Sequence, residues 1–349
     1  MPDSSQKHSS SPALDLAAIP VPTKFKRNGK RGHTWHLPRT FPGYFADTSK
    51  QVLGAAPKYV IRSEDPKQPE YLVKYAQKHG KRETFTEFFL NQLGTSLGFT
   101  MAHSGLVLLD NRRAFLTTIF TSSEETLRHG SLIIEDYFKD EKALDRVRPK
   151  EEQAFYSIDF VANLLKIFCG KDFEEVFPKF IEMLVFDALI GSMDRHAQNW
   201  GVVGRIIEPS QYRFAPIFDT ARALIWSLDE AQISRLWSDS NVLRNHLERA
   251  RPCLGPERTH PKVNDCNHFD FVENLLMLYP HQTSCAIRKV PGDIEKRSAK
   301  LLRRFPFRMA FSGTRKRLIA KILGIRAARL HQILNKRRAH DDQAMEVSL

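Results

Sequence analysis

Apolar residues change their spacing along this chain near Phe120. From about 37 to 121 they fall in short runs with a period close to two, the spacing of half-buried strands. Residues 51–61, QVLGAAPKYVI, predict a glycine-containing turn leading into a strand. Residues 70–76, EYLVKYA, predict a strand with Lys74 at its end. In GKRETFTEFFLNQLGTSLGF, residues 80–99, the residues Phe85, Phe88, Phe89, Gln92 and Leu93 define a helix face that stops near Gly98. Residues 105–109 and 113–120 predict a hairpin around Asp110-Asn111, an ordinary turn pair. Past Phe120 the period becomes helical almost throughout, with helices expected at 131–145, 151–169, 173–190, 229–249, 269–279, 293–303 and 314–336. A small β-rich part followed by a larger helical one predicts an α+β, two-lobed arrangement. Its boundaries are a flexible basic leader at 1–35, an N-lobe at 36–121, and a helical C-lobe at 122–349.

The stretch richest in candidate chemistry follows the helix expected at 173–190. Ile181, Leu184, Val185, Ala188 and Leu189 fall at i, i+3, i+4, i+7 and i+8, and the run stops at Gly191. Asp194-Arg195-His196-Ala197-Gln198-Asn199 follows at once, and Asp219 ends a β-like apolar segment at 214–218. Two carboxylates, a histidine and an asparagine just past buried elements suit Mg²⁺, which takes hard oxygen ligands and usually only one or two carboxylates beside phosphate. In a kinase catalytic loop the first Asp accepts the substrate hydroxyl proton, while an Asn and a downstream Asp take the metals. Read alone, Asp-Arg-His is equally a helix C-terminus with solvated charges.

Nucleotide-binding candidates lie upstream. Lys74 closes a strand and Glu87 sits on the following helix, as an ATP-binding lysine and its orienting carboxylate require. The plainer alternative is a surface Lys on an edge strand and a surface Glu on a helix. Gly54-Ala55-Ala56-Pro57-Lys58 is not a Walker A loop. Its small residues still permit close backbone approach to a phosphate, and Lys58 could neutralise charge.

Together these pieces resemble the HipA family of bacterial serine/threonine kinases over most of residues 48–226. QVLGAAPK stands where that family has S-I-x-G-x-Q-x-K, and YLVK looks like its strand ending in a phosphate-contacting Lys. Glu87-Phe88-Phe89-Leu90 through Leu97-Gly98 is similar to its E-(Y/F)-(Y/F)-x-L helix. Leu189 to Asn199 matches L-I-G-x-x-D-x-H-x-x-N, and Pro216-Ile217-Phe218-Asp219 matches P-x-Y-D. The last two motifs, in order and near the expected separation, are the specific ones.

The resemblance implies a protein-kinase-like fold and an ATP- and Mg²⁺-dependent kinase acting on Ser or Thr of a protein substrate. It implies Asp194 as the catalytic Asp, Asn199 and Asp219 as Mg²⁺ ligands, His196 as the brace of the loop, Lys74 on ATP phosphates, and Glu87 orienting Lys74. A bacterial, cytoplasmic toxin-like regulator with an antitoxin partner is the associated expectation, and secretion as an effector stays open. Three departures stand out. LTTIFTSSEETLRHG replaces the family's E-R-F-D-R-like hinge, and Gln51 replaces its inhibitory autophosphorylated Ser. The region ahead of residue 48 is short for the family's extra N-terminal domain, which suggests the compact form of HipT-like and CtkA-like relatives.

Composition narrows the alternatives. Hydrophobic residues at 42% and aromatics at 10% are ample for a packed core. No apolar run is long enough to span a bilayer, and the N-terminus has no basic n-region or apolar h-region. Cys169, Cys253, Cys266 and Cys285 are scattered, which suits a reducing compartment, and Cys253, His260, Cys266 and His268 match no structural zinc spacing. The formal net charge of +13 is concentrated between residues 288 and 340, where seventeen Lys or Arg face only Asp293 and Glu295. Within that block Ala320, Gly324, Leu330 and Ile333 fall at helix-turn-helix offsets, with Arg326, Arg329, His331 and Lys336 toward nucleic acid. The alternative is the last two helices of the C-lobe with a basic outer face. Two functions compete with the protein-kinase reading: a lipid kinase, since Asp194 to Asn199 also resembles the D-R-H-x-x-N of phosphoinositide kinases, and a catalytically idle basic regulator that binds nucleic acid.

Overall fold

The computed structural model describes residues 44–47, 58–76, 81–109, 112–139, 156–207, 211–256 and 266–347. The leader expected at 1–35, Gly54 with the rest of the phosphate-loop candidate before Lys58, the Asp110-Asn111 turn and His260 lie outside these residues. The chain divides into two compact units, one of Met1–Thr84 and His103–Ile119, the other of Phe85–Ala102 and Phe120–Leu349.

The first unit is an antiparallel sheet of β1 (Tyr44–Asp47), β2 (Lys58–Ser63), β3 (Tyr71–Tyr75), β4 (Ser104–Leu109) and β5 (Arg112–Thr118), in the order β1-β2-β3-β5-β4. Alternation along the strands puts Tyr44, Ile61, Val73, Tyr75, Val107 and Leu116 together in one core. The tyrosines there keep their hydroxyls satisfied. Tyr44 donates to Pro69 O at 3.0 Å, Tyr59 and Tyr75 share a 3.3 Å bond, and burial pushes the Tyr44 phenol up to about 12. On the opposite face one cross-strand row runs Lys58, Lys74, Phe115, Leu106. Helix α1 (Lys81–Ser96) follows β3, as its apolar face predicts, and its residues from Phe85 onward belong to the second unit.

The second unit contains β6 (Glu125–His129), α2 (Gly130–Phe138), α3 (Ile158–Cys169), α4 (Phe173–Ile190), β7 (Gly201–Arg205), β8 (Arg213–Phe214), α5 (Glu230–Ser238), α6 (Ser240–Arg249), α7 (His268–Leu278), α8 (Pro280–Arg288), α9 (Ile294–Leu302), α10 (Phe307–Ala310) and α11 (Gly313–Val347). Helix α4 has the expected bounds and is buried nearly all round from Phe180 on. Aromatic contacts gather on it: Phe186 lies 4.9 Å from Phe99, and Phe180 lies 4.9 Å from Trp200. Phe88 and Phe89 of α1 pack on Phe307 at 5.5 and 5.6 Å.

Three differences from the sequence reading have physical causes. A three-stranded antiparallel sheet, β6-β7-β8, stands in the part read as helical almost throughout, where only the apolar segment at 214–218 reads as β-like. Gly201-Val202-Val203-Gly204 is buried at every position, so it carries no alternation to read. The helix expected at 229–249 is two helices, because the Asp239 carboxylate accepts from Asn241 N and Val242 N and caps a new start. Helix α8 escaped notice because only Thr283, Ala286 and Ile287 of it are buried.

The helix-turn-helix expectation is overturned. Residues 314–338 lie inside the single helix α11. Gly324 makes no turn there. A Cβ on it would sit 2.7 Å from Glu295 Oε2 and 3.0 Å from Glu295 Cβ, so the glycine lets α9 approach closely. Arg326 is buried at 1% exposure, and His331 bonds Val290 O at 2.8 Å, so neither is presented to a nucleic acid. Among the described residues no helix is long and apolar enough to cross a membrane.

Candidate active site

Helix α4 ends where the catalytic-loop candidate begins. Gly191 adopts a left-handed conformation (φ 64°, ψ 45°) and donates its N–H to Asp187 O, the usual way a helix stops on glycine. Ser192 N also donates to Asp187 O at 3.0 Å. At its other end the loop passes through a short 3₁₀ turn, Ala197–Asn199, into Trp200. Trp200 is buried at 1%, faces Phe180 and Phe214, and donates its indole N–H to the Tyr156 hydroxyl. The loop is thus pinned at both ends by rigid elements.

Between these anchors the organising side chain is Arg195. It is 3% exposed and makes a two-pronged pair with Asp187, Nε to Oδ2 at 2.8 Å and Nη2 to Oδ1 at 3.0 Å. Its Nη1 donates to Asn199 O at 2.6 Å and to Phe218 O at 2.7 Å. Burial works against the guanidinium charge, but Asp187 outweighs it, with Asp219 adding to the effect, so the Arg195 pKa is raised. One planar fork therefore ties the end of α4, the loop and the residue before Asp219.

Asp194 and His196 are partly exposed, with side chains 24% and 39% accessible. Asp194 Oδ1 lies 4.0 Å from His196 Nε2 and accepts from Arg222 Nη1 at 3.3 Å. The Arg222 guanidinium also lies over Trp226, 5.8 Å from the ring centroid. Asn199 is buried, and its amide nitrogen donates to Asp194 O at 2.6 Å and meets His196 Nε2 at 3.2 Å. His196 Nδ1 in turn accepts from Gln198 N at 3.3 Å, so the ring closes the loop on itself. Asp219 has φ 53°, a left-handed backbone that a non-glycine residue adopts at a cost of order 1 kcal/mol or more. Phe218 beside it stacks on Phe120 at 6.1 Å and meets His129 edge-on at 5.9 Å. Leu224 N donates to Ile190 O at 2.9 Å, which binds the segment after Asp219 to the end of α4.

Asp194, His196 and Asn199 are therefore brought together, with Asp219 joined to them through Arg195 at Phe218 O. In the first unit Lys58 and Lys74 are direct partners on adjacent antiparallel strands, side chains on one face. Glu87 is buried on α1 and belongs to the second unit. Among the described residues no group of three or more His, Cys, Asp or Glu is placed to hold a metal by itself. Asn199 and Asp219 each carry an oxygen of the hard kind, and Arg195 ties them, donating to Asn199 O and to Phe218 O beside Asp219.

Sequence reasoning left out Asp187, Arg195 and Arg222 as contributors. Asp187 carried a readable signal, being a carboxylate in the otherwise apolar run VFDALI. A buried acid of that kind needs a cation.

A family model described as the HipA-like C-terminal domain matches residues 51–265. In sequence the chain is similar to the serine/threonine-protein kinase CtkA of Helicobacter pylori, 24% identical over 229 residues. That match covers 60% of this chain and 66% of the relative, slightly under two thirds of the relative's length. In structure it is similar to the crystal structure of a Helicobacter pylori proinflammatory kinase CtkA, with TM-score 0.64 and 20% identity over 84% of this chain and 95% of that one. The fold is accordingly α+β and protein-kinase-like. A weaker likeness (TM-score 0.46, 12% identity, 76% of this chain and 60% of that chain) is to the Shewanella oneidensis MR-1 toxin–antitoxin system of HipA, HipB and operator DNA. With residues 51–265, more than half of this chain, matched by that model, the chain belongs to the family of HipA-like C-terminal domains.

Proposed function

We propose that this protein is a Mg²⁺- and ATP-dependent kinase that phosphorylates Ser or Thr hydroxyls of a protein substrate. The observation that carries the reading is Arg195, which holds the Asp194–Asn199 loop and the backbone next to Asp219 in one hydrogen-bonded unit. When bound, Mg·ATP supplies the transferable phosphoryl group and neutralises its charge. Asn199 and Asp219 are the residues that would hold the ion. The Asn199 nitrogen is engaged on the loop, which leaves the carboxamide oxygen for a cation. Asp194 orients the acceptor hydroxyl and takes its proton on the carboxylate. His196 keeps the loop closed and is a positioning residue. In keeping with the family resemblance, Lys74 and Lys58 serve phosphate oxygens and Glu87 serves Lys74. The likeness to CtkA supports a protein acceptor. A toxin or effector role in bacteria, with an antitoxin partner, rests on the family resemblance alone.

The test is transfer of labelled phosphate from ATP with Mg²⁺, on the protein itself and on a bacterial lysate, comparing wild type with Asp194→Ala. Labelled Ser or Thr that disappears in the variant is expected. Mg·ATP binding without any protein labelling would overturn the protein-kinase reading and favour a lipid headgroup as acceptor.

A further inference from the structure

The last carbonyls of a helix have no partner within it, and here they lie directly before the catalytic-loop candidate. Ala188 O accepts from Arg326 Nε at 2.7 Å, and Ser192 O meets His268 Nε2 at 2.7 Å. Arg326 comes from the middle of α11, and its Nη1 donates to Leu247 O at 3.2 Å, at the end of α6. Its guanidinium stacks on Phe269, 4.8 Å from the centroid, and a Cβ on Gly191 would lie 3.3 Å from Arg326 Cζ. Arg326 and His268 are each 1% exposed. Arg326 Nη2 and His268 Nδ1 have no hydrogen-bond partner among the described residues. Burying a cation this deeply is costly, and burial pulls the Arg326 pKa down to about 10. A neutral donor would satisfy one carbonyl at lower cost. What a cation adds is attraction to the negative end of α4, whose last turn leads into the loop that carries Asp194.

Arg315 stands eleven residues earlier, three turns along α11 and so on the same face. It is also buried, and it donates to Ile225 O at 2.9 Å and to Leu228 O. One face of the C-terminal helix thus delivers guanidinium groups to the approach to Asp194 and to the segment after Asp219.

We propose that Arg326, backed by His268, is a positioning residue for phosphotransfer, fixing the 188–192 segment so that Asp194 is presented in a single orientation. The inference rests on the kinase reading, with Arg326 acting through Ala188 and Gly191 and touching no substrate. The test compares Arg326→Gln with Leu330→Ala, a fully buried apolar residue of the same helix. Both lower stability, but only the first removes the clamp. Amide hydrogen exchange should rise about tenfold or more across 190–199 in Arg326→Gln relative to Leu330→Ala, the cost of one lost charge-assisted bond. At a temperature where both are folded, kcat should fall about tenfold or more with KM for ATP within about twofold, since small misplacements of a reacting group are expensive. Arg326→Lys keeps the charge and can reach one carbonyl, so it should recover part of both; it also carries the comparison if Arg326→Gln does not fold. Equal exchange across 190–199 in the two variants, or an equal kcat loss, overturns the proposal. A wild type that transfers no phosphate defeats the kinase reading by itself, and the exchange comparison still decides whether Arg326 fixes the segment.

Discussion

Arg195 and Asp187 meet through two parallel hydrogen bonds of 2.8 and 3.0 Å, with both side chains 3% exposed. Replacing either by Ala leaves an uncompensated buried charge, and each single variant should lose about 3–5 kcal/mol of stability. Asp187→Leu combined with Arg195→Met should recover a large part of that loss. It should not recover phosphotransfer, because the bonds from Arg195 to Asn199 O and Phe218 O go with the arginine. Denaturant unfolding and an ATP phosphotransfer assay on the same preparations separate the two effects. A stable, active double variant would mean that the pair serves the fold alone.

Arg222 and Asp194 form a different kind of pair, single-pronged at 3.3 Å with side chains 35% and 24% exposed. Exposed pairs contribute little, so Arg222→Gln should change stability by less than about 1 kcal/mol. Arg222 nevertheless sets the direction of the carboxylate proposed to take the acceptor proton. The expected result is a several-fold drop in kcat with the melting temperature nearly unchanged. Unaltered kcat would remove Arg222 from the site.

His268 gives the protein a built-in acid sensitivity. Burial foremost, then the nearby Arg326 charge, depress its pKa to about 3, against a smaller opposing effect of its bond to Ser192 O. The unfolded chain takes a proton on this ring below about 6.5, whereas the folded one does not until about 3. The contribution is therefore whole above about pH 6.5 and is lost as the pH falls, at about 1.4 kcal/mol per unit. His246, also depressed by burial and by Arg326 and Arg249, steepens the same limb. Urea unfolding at pH 7, 6 and 5 should show a shallower decline in His268→Gln than in wild type. Parallel slopes would show that the ring is protonated in the folded state.

How far these features could be read beforehand depended on what kind of pattern carried them. Helix α4 was legible to its last residue, because its apolar spacing and Gly191 both mark where it stops. Strands β2 and β3 and helix α1 were legible for the same reason, while buried β7 has no polar face to betray its period. The Asp194–Asn199 loop and Asp219 carried local motifs, and Asn199 donates to Asp194 O within that loop. The arginines were opaque. In sequence Arg326 looks like part of the basic face of a nucleic-acid helix, and only tertiary structure shows it, and Arg315 with it, aimed at backbone carbonyls more than seventy residues away. Gly324 misled similarly, since a glycine needed for close helix approach and one needed for a turn are the same letter.

Gly130 offers a test of the far anchor of the loop. Its N–H donates to Trp200 O at 3.0 Å, and a Cβ there would sit 2.3 Å from the Trp200 ring and 2.9 Å from Ala197 O. The ring is boxed in by Phe180 and Phe214, and Ala197 O belongs to the loop backbone, so neither can yield without moving the 197–199 turn. Gly130→Ala should therefore cost about 1–3 kcal/mol through overpacking, despite the better helix propensity of alanine. Because the displaced atoms include the turn that carries Asn199, Mg²⁺-dependent ATP affinity should weaken along with stability. Calorimetric titration of the variant with Mg·ATP, set beside its melting temperature, distinguishes this outcome from a loss confined to the core. Wild-type affinity in a destabilised Gly130→Ala would show that Trp200 absorbs the strain without passing it to Asn199.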